Sequence, residues 1–84
     1  MSWLLPDLRS RLTICFSSVF PALEESEIPR SSVASLDAWD SLGSINLYSL
    51  IEEEFGIEIS MEYVDRLLSF ELILAFLEEE IGVS

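Results

Sequence analysis

Ser41 is the residue in this chain whose setting gives it chemistry. It lies between Asp40 and Leu42, and the three open an amphipathic stretch that runs to Phe55. That placement puts one hydroxyl at a helix N-terminus, where free N–H groups and the positive dipole end suit a phosphodiester. Two readings are open: the serine accepts a phosphate-linked group, or it only caps the helix. A serine hydroxyl is a weak nucleophile without an adjacent base. The chain contains no histidine and offers no plausible triad. On the first reading Ser41 is a substrate of some other enzyme, and the chain is not itself an enzyme.

The elements that must hold Ser41 belong to one small domain, residues 1–84. A chain this short buries a thin core and has no room for a deep catalytic cleft. Its 50% hydrophobic content excludes the profile of a disordered chain. The formal charge is −12, with Arg9, Arg11, Arg30 and Arg66 as the only basic residues. Nucleic acid and anionic membrane surfaces are therefore excluded as partners, since both need clustered cations. Basic protein surfaces fit such a charge through electrostatic steering. Cys15 is the only cysteine, so there is no internal disulfide and no cysteine-rich metal site. Met1 to Leu5 is too short for a signal peptide. No apolar run reaches the ~18 residues of a membrane span. A cytoplasmic monomer is expected.

Spacing predicts a first helix from Asp7 to Val19, with Leu5, Leu8, Leu12, Cys15, Phe16 and Val19 on one stripe. Pro6 suits its first turn and Pro21 its end. Ala22 to Trp39 reads as a long loop with a helical turn near Glu24 to Ile28, pinned by Ile28, Val33 and Leu36. Asp40 is a good N-cap and Gly56 a good terminator for the helix Ser41–Phe55. Leu47, Leu50, Ile51 and Phe55 form its core stripe, with Leu42, Ile45 and Tyr48 on a neighbouring face. Ile57-Glu58-Ile59 reads as an extended connector. A short helix follows from Met61 to Leu68, with Met61, Val64, Leu67 and Leu68 inward. Ser69 caps a last helix, Phe70 to Ile81, whose stripe is Phe70, Ile73, Leu74, Leu77 and Ile81, and Gly82 ends it. The predicted fold is all-α: an antiparallel four-helix bundle with one short helix and a long first loop.

Asp40-Ser41-Leu42, then Leu47, Ile51 and Glu52-Glu53-Glu54-Phe55-Gly56-Ile57-Glu58-Ile59, form a pattern that resembles the acyl carrier protein family. The resemblance covers nearly the whole chain and is strongest from Val33 to Ile59. It implies that Ser41 receives 4′-phosphopantetheine from coenzyme A by way of a phosphopantetheinyl transferase. The thiol of that arm would carry an acyl group as a thioester. Asp rather than His before the serine looks like acyl carriers more than peptidyl carriers. By position, the resemblance implies a docking face of Asp40, Leu42, Ile45, Glu52 and Glu53, with Asp65 nearby. The implied partners are acyl-activating or acyl-transferring enzymes with basic surfaces. Two departures stand out. The early turns of the helix read Gly43, Ser44, Ile45 and Asn46, where carriers of primary fatty-acid synthesis usually bear more acids. Trp39 stands where those carriers usually have a small residue. Both suit a carrier dedicated to one pathway or one activating enzyme.

Other features carry weaker signals. The runs Glu52–Glu54 and Glu78–Glu80 sit near helix C-termini, where negative charge opposes the helix dipole. Recognition or solubility explains them. No calcium-loop spacing is present, so no dedicated metal site is expected. Leu72 and Phe76 lie off the main stripe and read as ordinary packing or as walls of an acyl cavity. Trp39 reads as a packing anchor or as a contact for the arm. Cys15 reads as a buried structural thiol. The alternatives to a carrier are an unmodified acidic helical module that docks basic partners and, more remotely, a small ion-binding protein.

Overall fold

The computed structural model describes residues 8–81. The expectations placed on Met1–Leu5, Pro6, Asp7 and Gly82 lie outside that range. The architecture is all-α: α1 (Leu8–Val19), a 3₁₀ helix (Glu25–Arg30), α2 (Ser41–Phe55), α3 (Met61–Val64) and α4 (Phe70–Ile81). α1 is the shared surface, packed against α2, α4 and the 3₁₀ helix.

The predicted stripe of α1 is buried through Leu8, Leu12, Cys15 and Phe16. The helix closes with Phe20 N–H donating to Phe16 C=O at 2.8 Å, just before Pro21. Phe20 itself is buried, one residue beyond the predicted stripe. Phe16 is the hub of the aromatic core. Its ring lies 5.3 Å from Trp39 and 5.2 Å from Phe70, both edge-on, and 6.0 Å from Phe20. Such tilted pairs add to the gain from burial alone.

The long first loop is more ordered than its composition implies. Its helical turn is the 3₁₀ helix, which runs to Arg30 and includes Pro29. Ile28 is fully buried there. Beyond it the chain is stitched to the α3–α4 connection. Ser31 C=O accepts from Phe70 N–H at 3.1 Å, and Val33 N–H donates to Leu68 C=O at 2.9 Å. Ser32 and Ser69 form an isolated antiparallel bridge. Leu36 is half-buried as expected, but Val33 is 38% exposed. Its backbone, not its side chain, does the pinning.

α3 is shorter than predicted. Ser60 caps it, accepting from Glu62 N–H at 3.3 Å, and the helix stops at Val64. There Arg66 N–H and Leu67 N–H both turn back to Tyr63 C=O, at 2.8 and 3.1 Å, and close the helix in a tight turn. Beyond it Leu67 C=O takes the Tyr48 hydroxyl and Leu68 C=O takes Val33 N–H. Leu67 is buried and Val64 half-buried, while Leu68 is 45% exposed, a correction to its inward placement. The Met61 side chain lies outside what is described. α4 begins where Ser69 Oγ accepts from Leu72 N–H at 3.2 Å. Phe70, Ile73, Leu74 and Leu77 are buried along it.

Candidate functional site

Ser41 is the first residue of α2, and it is exposed. Asp40 in extended geometry precedes it and takes Gly43 N–H on its Oδ1 at 2.9 Å. Asp40 is thus the cap, and the Ser41 hydroxyl makes no hydrogen bond to any described residue. Gly43 is buried because the chain folds tightly over it. A Cβ there would collide with the Ala38 carbonyl oxygen and stand 3.3 Å from the Phe20 ring. The turn that carries Asp40 and Ser41 is therefore held by its own backbone against α2.

A cleft of about 760 Å³ opens beside Ser41. One face of α2 forms a wall, with Ser41, Ile45 and Tyr48 at helical spacing. Trp39, Val64 and Leu68 come from other segments. Tyr48 Oη donates to Leu67 C=O at 2.8 Å. Burial pushes the Tyr48 phenol above its ordinary pKa; the facing Ser44 and Trp39 side chains act in the opposite direction, and the Asp65 carboxylate adds to the rise. The Trp39 indole N–H is buried beside that phenol without closing a hydrogen bond of good geometry. At 1% exposure Trp39 is a packing anchor first, and a wall of the cleft second.

The residues of the expected docking face are spread over several roles. Leu42 and Ile45 are 67% and 62% exposed beside Ser41. Asp40 is occupied with Gly43. Glu52 lines the far end of the cleft and holds the α2–α3 connector, its Oε2 accepting from Ile59 N–H at 2.7 Å. Glu53 and Asp65 are exposed. Glu54 pairs with Arg11 at 3.0 Å, while Arg11 also donates to Glu54 C=O at 2.7 Å and lies over the Phe55 ring at 4.5 Å. Arg11 thus supplies the positive charge that the acidic end of α2 lacks locally.

Neither Leu72 nor Phe76 lines this cleft. Leu72 is half-exposed elsewhere and Phe76 stacks on Tyr63 at 5.0 Å. Val33, Ser44, Tyr48, Ser49, Ile59, Val64 and Leu68 also line the cleft, and none was among the expected site residues. Ser44 and Tyr48 were legible, since they follow Ser41 by three and seven positions on one helix face. Val33 and Leu68 carried no such signal. Cys15 is buried, and burial first, then the nearby Glu54 carboxylate, pushes its thiol from 9.0 to about 11 against the opposing pull of Arg11. No group of three or more His, Cys, Asp or Glu among the described residues could hold a metal ion. No described helix is long and apolar enough to cross a membrane.

No family model matches the chain. It is, however, 35% identical over 58 residues to the acyl carrier protein of Thermosynechococcus vestitus, covering 69% of this chain and 72% of that one. The chain belongs to the acyl carrier protein family. For a member of that family, the exposed serine at the head of α2 and the cleft beside it become the natural place to look for function. The turn around Gly43 and the cap at Asp40 then present that serine, and they do so without using its hydroxyl.

Proposed function

We propose that this chain carries an acyl intermediate as a thioester on a 4′-phosphopantetheine arm attached to Ser41, and presents it to separate enzymes. The observation that carries this reading is the Ser41 hydroxyl, exposed at the head of α2 with no hydrogen bond to any described residue. A serine that only capped the helix would spend its oxygen on an α2 N–H, and Asp40 does that instead. The residues fit the arm. Gly43 allows the backbone to close under the attachment point. The first turn of α2 offers N–H groups and a dipole end to a phosphodiester. When bound, the arm supplies a thiol that carries the acyl group.

The chain's own residues do no proton transfer in this scheme. The Asp40 carboxylate is engaged with Gly43 N–H, and the chain has no histidine. The base that activates Ser41 therefore belongs to a phosphopantetheinyl transferase. The 84 residues act as one carrier domain. The net charge of −12 steers acyl-handling enzymes whose surfaces are basic. α2 has no acidic residue in its first turn, which supports a carrier dedicated to one pathway.

The test is the intact mass after incubation with coenzyme A and a transferase. One phosphopantetheine increment is expected on the parent chain and none on Ser41→Ala, with the helical circular dichroism spectrum kept. An increment that persists in Ser41→Ala moves the attachment elsewhere. No increment with transferases of broad specificity rejects the carrier reading in favour of an unmodified docking module.

A further inference from the structure

Resting on the carrier reading, we infer that the acyl group bears a neutral oxygen along its chain, a keto or hydroxyl group, and that the Trp39 indole N–H holds this oxygen in the cleft. Trp39 is 1% exposed, and its Nε1 is the one buried side-chain nitrogen or oxygen among the described residues without a hydrogen-bond partner. An unpaired buried donor carries its full desolvation cost, and native folds rarely keep one without a use. Packing does not supply that use. The Trp39 ring meets Phe16 edge-on at 5.3 Å and lies 5.9 Å from Phe20, contacts that need a ring but no N–H.

The surroundings of the indole select the ligand. Nε1 is buried beside the Tyr48 phenol, and the Ser44 hydroxyl faces the same oxygen. Trp39, Ser44 and Tyr48 all line the cleft beside Ser41. Tyr48 has one hydroxyl proton and gives it to Leu67 C=O, so it donates nothing to a ligand. Charge then sets the class of oxygen. Asp40, Glu52 and Asp65 line the cleft, with no lysine or arginine among its described lining residues. A carboxylate on the cargo would meet like charge there and no cation to pair with it. A protonated amine has no lone pair to accept from an N–H. A keto or hydroxyl oxygen accepts from Trp39 without either cost. Val33, Ile45, Val64 and Leu68 make the rest of the lining largely apolar, which suits the hydrocarbon on either side of that oxygen. The amides of the arm are neutral acceptors too, so the test must separate arm from cargo.

The test loads Ser41 with hydrolysis-resistant amide analogues of the acylated arm, each confirmed by intact mass. The forms compared are the arm alone, a hexanoyl chain, and hexanoyl chains with a keto or hydroxyl oxygen on the third or fifth carbon. Trp3→Phe leaves Trp39 as the only tryptophan, so its indole N–H is a single resonance in proton–nitrogen spectra. At least one oxygen-bearing chain should move that resonance downfield and slow its exchange with solvent about fivefold or more relative to hexanoyl. The same chain should raise the melting temperature above that of the hexanoyl form. Trp39→Phe keeps a ring without the donor and should erase the difference in melting temperature. Where that variant folds poorly, the indole resonance of the Trp3→Phe chain decides the matter by itself. A resonance already shifted to the same extent by the arm alone or by hexanoyl gives the acceptor to the arm and overturns the inference. A resonance that no chain moves overturns it as well, and leaves Nε1 to the Tyr48 phenol. Mass gain at Ser41 alongside either result keeps the carrier reading standing. No mass gain rejects the carrier reading and the inference together.

Discussion

Tyr48 reaches from α2 to the α3–α4 connection and donates its hydroxyl to Leu67 C=O at 2.8 Å. That bond fixes one wall of the cleft beside Ser41. Removing it with Tyr48→Phe leaves a buried carbonyl unpaired, at a cost of about 1–3 kcal/mol. Urea unfolding should show the loss. Amide exchange should rise around Leu67 to Phe70 more than in α1. Uniform exchange across the chain would mean that the bond does not organise this wall.

Stability should fall at alkaline pH. The Cys15 thiol is raised by burial from 9.0 to about 11, and the Tyr48 phenol is also raised. An acid whose folded pKa is raised binds its proton more tightly in the native state. Its contribution is complete below the unfolded pKa and is lost as pH climbs through the folded one. For Cys15 that window runs from 9.0 to about 11. Melting temperature measured across this range should decline, and Cys15→Ala should flatten the first part of the decline. An identical slope in that variant would remove Cys15 as the cause.

Gly43→Ala tests the close approach behind Ser41. On helix propensity alone the change should stabilise by about 1 kcal/mol. The collision with the Ala38 backbone carbonyl reverses that sign. The expected result is a lower melting temperature, together with slower attachment of phosphopantetheine at Ser41, because the displaced turn carries both Asp40 and Ser41. A more stable variant would show that the backbone has room.

Arg11 joins α1 to the acidic end of α2 through charge, a backbone carbonyl and the Phe55 ring. Arg11→Lys keeps the charge but loses the planar fork. Arg11→Met loses both. Denaturant unfolding should rank them in that order below the parent, the second by about 1 kcal/mol or somewhat more. Surface pairs alone give less than this. Equal stability in all three would make the contact incidental.

The net charge of −12 should make the fold salt-sensitive through self-repulsion. Moderate sodium chloride or millimolar magnesium should raise the melting temperature at neutral pH. In transferase kinetics, Glu53→Lys should slow the reaction more than Glu79→Lys/Glu80→Lys, chiefly at low salt. Glu52 is unsuitable for this comparison, because its carboxylate holds Ile59 N–H. Equal damage from both variants would mean that charge acts in bulk and not near Ser41.

Most elements, and the serine proposed as the attachment point, were legible in local sequence. Apolar stripes in α1, α2 and α4, the caps Asp40 and Ser69, and Gly56 at φ 67° all act within a few residues of themselves. Such interactions are written in local spacing, and so is the motif that singles out Ser41. What surrounds that serine depends on contacts between residues far apart in the chain. Tyr48 meets Leu67, Val33 meets Leu68 and Arg11 meets Glu54 across 19, 35 and 43 positions. No periodicity records those pairings, because each depends on how the helices pack around Phe16. The same packing left Leu68 and Val33 at the surface, spent Glu52 on a backbone N–H, and placed the cleft beside Tyr48 instead of Leu72 and Phe76.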